Sequence, residues 1–156
     1  MSPRRSTRSS SAAFEAHGPT TARSSASTWT VNLAAWAGAV LLVLSSVIHL
    51  HLWFNGYRHI PTIGPLFVAQ AVVGIALSIV VAVKRLPFVL AGGAAFAAGT
   101  VAALLVSVNF SLFGFRDSLD APYAKSSLVV ECLAAGLLAL AAIVATKIGE
   151  TVRSSR

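Results

Sequence analysis

The sequence has very few charged residues for its length. Asp, Glu, Lys and Arg make up only 11% of its 156 residues, whereas 56% are hydrophobic. A soluble domain usually carries about 25% charged residues, because charged side chains cover the surface that faces water. The composition therefore excludes an ordinary soluble domain. It predicts an integral membrane protein whose main partner is the lipid bilayer.

Cysteine and the common catalytic motifs are also scarce or missing. The single cysteine, Cys132, lies in an apolar segment, so no disulfide can form within the chain. The sequence contains no P-loop, GxGxxG, HExxH, CxxC or GxSxG pattern. We therefore assign no catalytic residue, and the sequence favours a protein that is not an enzyme.

Four long apolar runs dominate the rest of the chain. They cover residues 31–54, 65–83, 88–112 and 125–146. Each run is near the ~20 residues that an α-helix needs to cross ~30 Å of hydrocarbon. The connections are short, so neighbouring helices should be antiparallel. We predict an all-α fold, an up-down bundle of four transmembrane helices within residues 30–146.

The segments that flank the apolar runs predict two tails. Residues 1–28 are rich in Ser, Thr, Ala and Arg and lack apolar periodicity, which predicts a disordered basic tail. Residues 147–156 predict a second, short tail. The first apolar run is longer than the roughly 7–15 apolar residues of a signal peptide, so we interpret it as an uncleaved anchor.

Basic residues are divided unevenly between the two ends of the predicted bundle, and the formal net charge is +7. One end, with the two tails, carries Arg4, Arg5, Arg8, Arg23, Lys84, Arg85, Lys147, Arg153 and Arg156. The other end carries Arg58, Arg116 and Lys125. The positive-inside rule explains this asymmetry better than nucleic-acid binding does. It predicts a multi-pass plasma-membrane protein with both termini in the cytoplasm.

Small residues recur every four positions and predict the faces on which the helices pack. The second run has Gln70, Gly74 and Ser78, and the fourth has Ser127, Glu131, Ala135 and Ala139. The third run has Ala91, Ala95, Gly99, Ala103 and Ser107.

Glu131 is the most informative residue, because it lies inside the fourth apolar run. A charged residue at mid-helix costs about 3 kcal/mol, so such residues usually face the interior and have a partner. His49, Gln70 and Asn109 lie in the other three runs, within roughly 5–9 Å of the same membrane boundary. The sequence predicts a polar intramembrane cluster of these four residues, in which the inward direction of Asn109 is an assumption.

Several interpretations of this cluster stay open. It could be a structural clasp between helices, a proton relay of His49 and Glu131, or a pair of metal ligands. A haem with two axial histidines would need a second facing histidine, which only a homodimer could supply. His49, His51 and His59 could hold zinc or copper, although we interpret His51 and His59 as interfacial residues. The favoured prediction is no cofactor, with haem or a transition metal as the alternative.

The connection after the first run has strong turn chemistry over residues 55–65. It contains Arg58 and His59, and Arg58 could form an ion pair with Asp117 or Asp120 across the outer face. Asp120 precedes Pro122 by two residues, which makes it a candidate N-cap of the fourth helix. We take Arg58, His59 and Asp117 as candidate functional residues of the outer loops.

Residues 48–70, with the sequence IHLHLWFNGYRHIPTIGPLFVAQ, resemble a signature of small four-helix membrane proteins from actinobacteria. The pieces at residues 114–117 and 122–124, followed by Glu131, are similar as well. The resemblance covers residues 30–146. It implies a bacterial cell membrane and a four-helix architecture, but no activity and no catalytic residue.

Taken together, these patterns favour a small accessory or scaffold subunit of the plasma membrane. Its protein partners would be other membrane subunits or a second copy of the chain. The alternative is a membrane redox, metal- or haem-binding or proton-handling protein that uses His49 and Glu131. Solute transport is disfavoured, because the chain shows no repeated halves.

Overall fold

The computed structural model describes the backbone of residues 20–154 and the side chains of residues 28–154, and the long elements of this part are helices. Its helices are α1 (Thr20–Phe54), α2 (Ile63–Val83), α3 (Pro87–Phe110) and α4 (Ala124–Ser154), with a short 3-10 helix at Tyr57–His59. The prediction of an all-α chain with four long helices is confirmed.

Each of the four helices is long and apolar enough to cross a membrane. The shortest, α2, has 21 residues, which corresponds to about 32 Å at 1.5 Å per residue. By length and composition, the chain therefore has the helices of a multi-pass membrane protein.

Two helices extend beyond the apolar runs. α1 begins at Thr20 and α4 ends at Ser154, whereas the sequence predicts limits at residues 31 and 146. Residues 20–28 and 147–154, predicted as tails, are thus helical. The physical reason is that a residue added to an existing helix gains a hydrogen bond without the cost of nucleation. The predicted disorder of residues 1–19 lies outside the described residues.

α1 and α4 pack against each other at the centre of the bundle. α2 packs mainly on α1, and α3 packs mainly on α4. α2 and α3 are consecutive in the chain but share few contacts. We call the end of the bundle with the tight connection at residues 84–86 the turn end. The end with the connections at residues 55–62 and 111–123 is the loop end.

The helices approach each other closely near the turn end. A methyl group on Gly38 of α1 would lie 2.5 Å from Leu138 Cδ2 of α4. One on Gly93 of α3 would lie 2.9 Å from Leu138 Cδ1. These distances are shorter than van der Waals contact, so an alanine at either position would force the Leu138 side chain to move. Contact between small residues supplies the attraction that lipid does not provide between apolar helices.

The contact face of α3 shares only Ser107 with the predicted stripe of small residues. Ala91 and Ala95 are exposed, and a methyl group on Gly99 would meet no atom within 4 Å. The face that packs is formed by Leu90, Gly93, Ala94, Ala97 and Ser107. Spacing identifies a narrow face of a helix, but it does not show whether a neighbour covers that face. The predicted stripes of α2 and α4 are partly correct, since Gly74, Ser78, Ser127 and Glu131 are buried.

Candidate functional site

Glu131 is buried in the bundle near the loop end, with 2% of its surface exposed. Two hydroxyl groups donate hydrogen bonds to its Oε1 atom. Ser45 Oγ reaches it from α1 at 2.9 Å, and Ser127 Oγ reaches it from one turn earlier in α4 at 3.1 Å. These bonds partly replace the water that burial removes from the carboxylate. The bond from Ser45 also links α1 to α4.

His49 lies one turn after Ser45 on α1 and faces the same carboxylate. Its Nδ1 atom donates to the carbonyl oxygen of Ser45 at 2.9 Å, because a carbonyl can only accept. In a neutral imidazole, Nε2 is then an acceptor. Nε2 lies 3.8 Å from Glu131 Oε1.

This arrangement has a consequence for protonation. An ionised Glu131 and a neutral His49 would present two acceptors to each other in a buried setting. One proton removes that conflict, either on His49 as an imidazolium or on Glu131 as a carboxylic acid. In the structure the two groups face each other at 3.8 Å, beyond hydrogen-bond distance.

A cavity of about 90 Å³ adjoins the pair. His49 and Glu131 line it within the bundle, while Tyr57 and Asp117 line it at the loop end. All four helices contribute to its walls. One water needs about 10–15 Å³ of such space. The cavity therefore has room for several water molecules beside the buried carboxylate.

Aromatic side chains form the loop-end walls of this cavity. The Tyr57 ring stacks on Phe67 with 4.7 Å between centroids and forms a T-shaped contact with Phe115 at 5.8 Å. The Tyr57 hydroxyl donates to Asp117 Oδ1 at 3.5 Å. Burial raises the pKa of Tyr57 above its ordinary value, and the neighbouring Asp117 carboxylate raises it further. A phenol and a carboxylate thus stand at the opposite end of the cavity from Glu131.

The connection that carries Asp117 is tied to the end of α3. The Asp117 amide donates to Ser107 Oγ at 3.2 Å and to the Ser107 carbonyl at 3.3 Å. Arg116 Nε donates to the Val108 carbonyl at 3.2 Å, as basic side chains often do at helix C-termini. Residues 112–115 form a tight turn with positive φ at Phe113 (52°) and Gly114 (80°), as in a type I′ turn.

Two members of the predicted polar cluster do not join this site. Gln70 is half-buried but does not line the cavity. Asn109 is exposed, and its Nδ2 donates to the carbonyl of Leu105 in its own helix at 2.7 Å. The assumed inward direction of Asn109 fails because it lies two residues, about 200°, around the helix from the buried Ser107. Of the four candidates, the structure brings together His49 and Glu131.

The predicted pairing of the outer-loop charges also differs from the structure. Arg58 Nε donates to His59 Nε2 at 2.9 Å rather than to Asp117 or Asp120. Asp120 instead pairs with Lys125 at 2.8 Å, because Lys125 lies at the start of α4, closer in the chain. Asp120 therefore does not cap α4. Arg58 and His59 are exposed and do not line the cavity.

Metal and haem ligands were further candidates. Within residues 28–154, no three side chains of His, Cys, Asp or Glu converge on one point. The His51 ring packs against the edge of Tyr123 at 5.1 Å, and His59 is bonded to Arg58. The three histidines therefore do not form the zinc or copper site considered from the sequence. His49 and Glu131 alone would offer a metal ion two ligands.

Ser45, Ser127, Tyr57 and Phe67 are site residues that sequence reasoning did not select. Helical spacing already puts Ser45 on the face of His49 and Ser127 on the face of Glu131. Nothing in the sequence shows that both hydroxyls choose the same carboxylate oxygen.

Comparison with known proteins gives no family for the chain. No protein-family model matches it, no curated protein matches it, and no solved structure matches it. The site has to be interpreted from its own geometry.

Proposed function

We propose that this chain is a small multi-pass protein of a bacterial plasma membrane, with a proton-binding site formed by His49 and Glu131. The four apolar helices and the excess of basic residues at the turn end support membrane insertion with both termini in the cytoplasm. The resemblance of residues 48–70 to actinobacterial membrane proteins supports the same location. In this proposal the chain acts as an accessory subunit whose state depends on protonation.

The orientation of His49 is the main observation that supports the proposed proton-binding site. Its Nδ1 is occupied by the Ser45 carbonyl, so Nε2 faces Glu131 as the atom that gains or loses a proton. Carboxylates and imidazoles are the usual proton carriers inside membranes. The adjoining cavity reaches the loop end, and waters in it would connect the pair to the outside. A purely structural clasp would not need such a cavity.

Titration of the histidine ring tests this proposal. The ¹⁵N signals of His49 would be followed by NMR over about pH 5 to 8, where histidine changes charge. We expect a coupled titration that belongs to the pair rather than to one residue. Glu131→Gln should change the midpoint for His49. Glu150→Gln, at an exposed carboxylate of the same helix, should leave it unchanged. An identical His49 titration in Glu131→Gln and in the unaltered protein would refute the proton site.

Two substitutions of Glu131 separate the clasp from the proton site. Gln keeps an oxygen that accepts from Ser45 and Ser127, whereas Leu removes the acceptor. We expect Glu131→Gln to stay folded and lose the coupled titration, and Glu131→Leu to lose stability as well. A Gln variant that keeps both stability and every pH-dependent property would leave Glu131 with a structural role alone.

A further inference from the structure

Glu131 has one oxygen that no described protein group occupies. Ser45 and Ser127 both donate to Oε1, and His49 Nε2 lies nearest the same atom. Within residues 28–154, no hydrogen-bond donor reaches Oε2. The side chain is nevertheless almost fully buried and lines the cavity. A carboxylate oxygen without a described donor, on a residue that lines a cavity, leaves an acceptor for a bound molecule.

The charge of the cavity walls indicates which kind of donor fits. Glu131 and Asp117 line it, whereas no Lys or Arg within residues 28–154 does. The other titratable groups that face it are His49 from α1 and Tyr57 from the 3-10 helix. α2 and α3 contribute no titratable side chain to it. The walls therefore carry negative charge and favour a cation.

The basic residues near the loop end are engaged elsewhere. Arg116 donates to the end of α3, and Lys125 pairs with Asp120. Both side chains are exposed. Neither neutralises the cavity from within.

The aromatic walls add a second preference. Tyr57, Phe67 and Phe115 form a contiguous group through their ring contacts, and all three line the cavity. Aromatic faces attract ammonium groups by about 0.5–2 kcal/mol. They also pack against short alkyl chains, which a hydrated metal ion lacks. The walls therefore fit an organic cation better than an inorganic one.

We propose that the loop-end cavity binds a small primary ammonium group, which donates to Oε2 of Glu131. Its volume of about 90 Å³ is below the roughly 150 Å³ that accommodates benzene, so the ligand is an ammonium on a short alkyl chain. Either a free amine or the headgroup of an ethanolamine lipid supplies this chemistry. The inference rests on the proposed proton site, because the cation and the shared proton compete for the charge of Glu131.

Propylammonium is the probe for a direct test. The purified full chain in detergent would be titrated with propylammonium chloride by calorimetry at two pH values, with 1-butanol as the neutral control. We expect propylammonium to bind and 1-butanol not to bind. Affinity should fall at the lower pH, because a proton then occupies the pair. Equal binding of both compounds would overturn the inference, as would the absence of binding at either pH.

Matched variants locate the binding site. Glu131→Gln should weaken propylammonium binding roughly tenfold or more, the effect of losing a charge-assisted hydrogen bond. Glu150→Gln should leave binding unchanged. Phe67→Leu keeps all hydrogen bonds of Glu131 and should weaken binding severalfold, which preserves the test if Glu131→Gln does not fold. Unchanged affinity in a folded Glu131→Gln, or in Phe67→Leu, would overturn the inference.

Measurements in nanodiscs distinguish the two possible sources of the ammonium group. Propylammonium would be titrated into protein held at one fixed fraction of phosphatidylglycerol, with the remainder either phosphatidylcholine or phosphatidylethanolamine. A lower apparent affinity with phosphatidylethanolamine identifies the lipid headgroup as the competitor, and equal affinities identify a free amine. The titration of His49 without amine stays a separate test. If it shows the coupled pair while propylammonium fails to bind, the proton site stands and the cation inference falls.

Discussion

The turn end and the loop end of this bundle are built on opposite principles. At the turn end, Leu138 fills the space beside Gly38 and Gly93 so closely that neither glycine has room for a methyl group. At the loop end, a cavity of about 90 Å³ lies beside a buried carboxylate. Close packing stabilises a fold, whereas a cavity and a buried charge reduce its stability.

The backbone shows the same contrast. Where the structure describes the backbone, residues 20–154, four residues other than glycine have positive φ. All of them lie in the loop-end connections: Thr62, Ser111, Phe113 and Tyr123. Such conformations are uncommon for non-glycine residues and persist only where the surroundings enforce them. The tight connection at the turn end has none. The comparison therefore separates close side-chain packing around Leu138 at the turn end from positive-φ connections and a polar site at the loop end.

The largest expected effect comes from removing packing at the turn end. Leu138 has no exposed surface, so Leu138→Ala should lower the free energy of unfolding by about 2–5 kcal/mol. Leu104→Ala removes the same atoms from a half-buried residue that already lines the cavity, so its effect should be smaller. Unfolding in mixed detergent micelles measures both variants. Equal losses would contradict the division between the two ends.

A second pair of variants tests the close approach of the helices. Gly38→Ala should destabilise the fold by about 1–3 kcal/mol, because the added methyl group overlaps Leu138. Gly99→Ala adds the same group where no atom lies within 4 Å. It should be neutral or stabilise by about 0.5–1 kcal/mol, because alanine favours the helix. The same unfolding assay measures both, and a stabilising Gly38→Ala would show that α1 and α4 are further apart.

The sequence predicts the elements better than it predicts the site. The predicted limits of the second and third helices, 65–83 and 88–112, lie within two residues of the observed ones, Ile63–Val83 and Pro87–Phe110. Such limits can be predicted because the hydropathy of a residue does not depend on its neighbours in space. Which face of a helix meets a neighbour depends on the other helices. The sequence therefore predicts an interior position for the α3 stripe and for Asn109. In the structure, only the face of α3 that points toward α4 is covered by a neighbour.

Part of the site can also be predicted from the sequence. The cost of a carboxylate in an apolar run makes Glu131 conspicuous, and depth points to His49 as a partner. Depth favours Gln70 over Ser45, which lies about one helical turn deeper. Rotation about the helix axis nevertheless decides which side chain reaches the carboxylate. The wall of Tyr57 and Asp117 depends on how two loops fold over the bundle, which no local pattern encodes.

The hydroxyl groups around Glu131 offer a smaller test of the loop end. Ser127→Ala removes one donor to Oε1, and Ser45 still donates to the same atom. We expect a loss of about 1 kcal/mol in the free energy of unfolding. Ser126→Ala, at the exposed neighbouring position, should cause no measurable loss. If both variants have the same stability, the bond from Ser127 contributes nothing to the fold.

The smallest expected effect is a dependence of stability on alkaline pH through Tyr57. Its pKa is raised above the ordinary value of 10.0, so the folded state holds the phenol proton more tightly than the unfolded state. The resulting stabilisation is fully present below about pH 10 and is lost as the pH rises through the raised value. Tyr57→Phe should remove that part of the decline, measured by unfolding between about pH 9 and 11. Asp117→Asn should leave most of the alkaline decline in place, because burial raises the pKa of Tyr57 more than the Asp117 charge does. If the stability of Tyr57→Phe declines as steeply with pH as that of the unaltered protein, other groups cause the alkaline sensitivity and Tyr57 has no part in it.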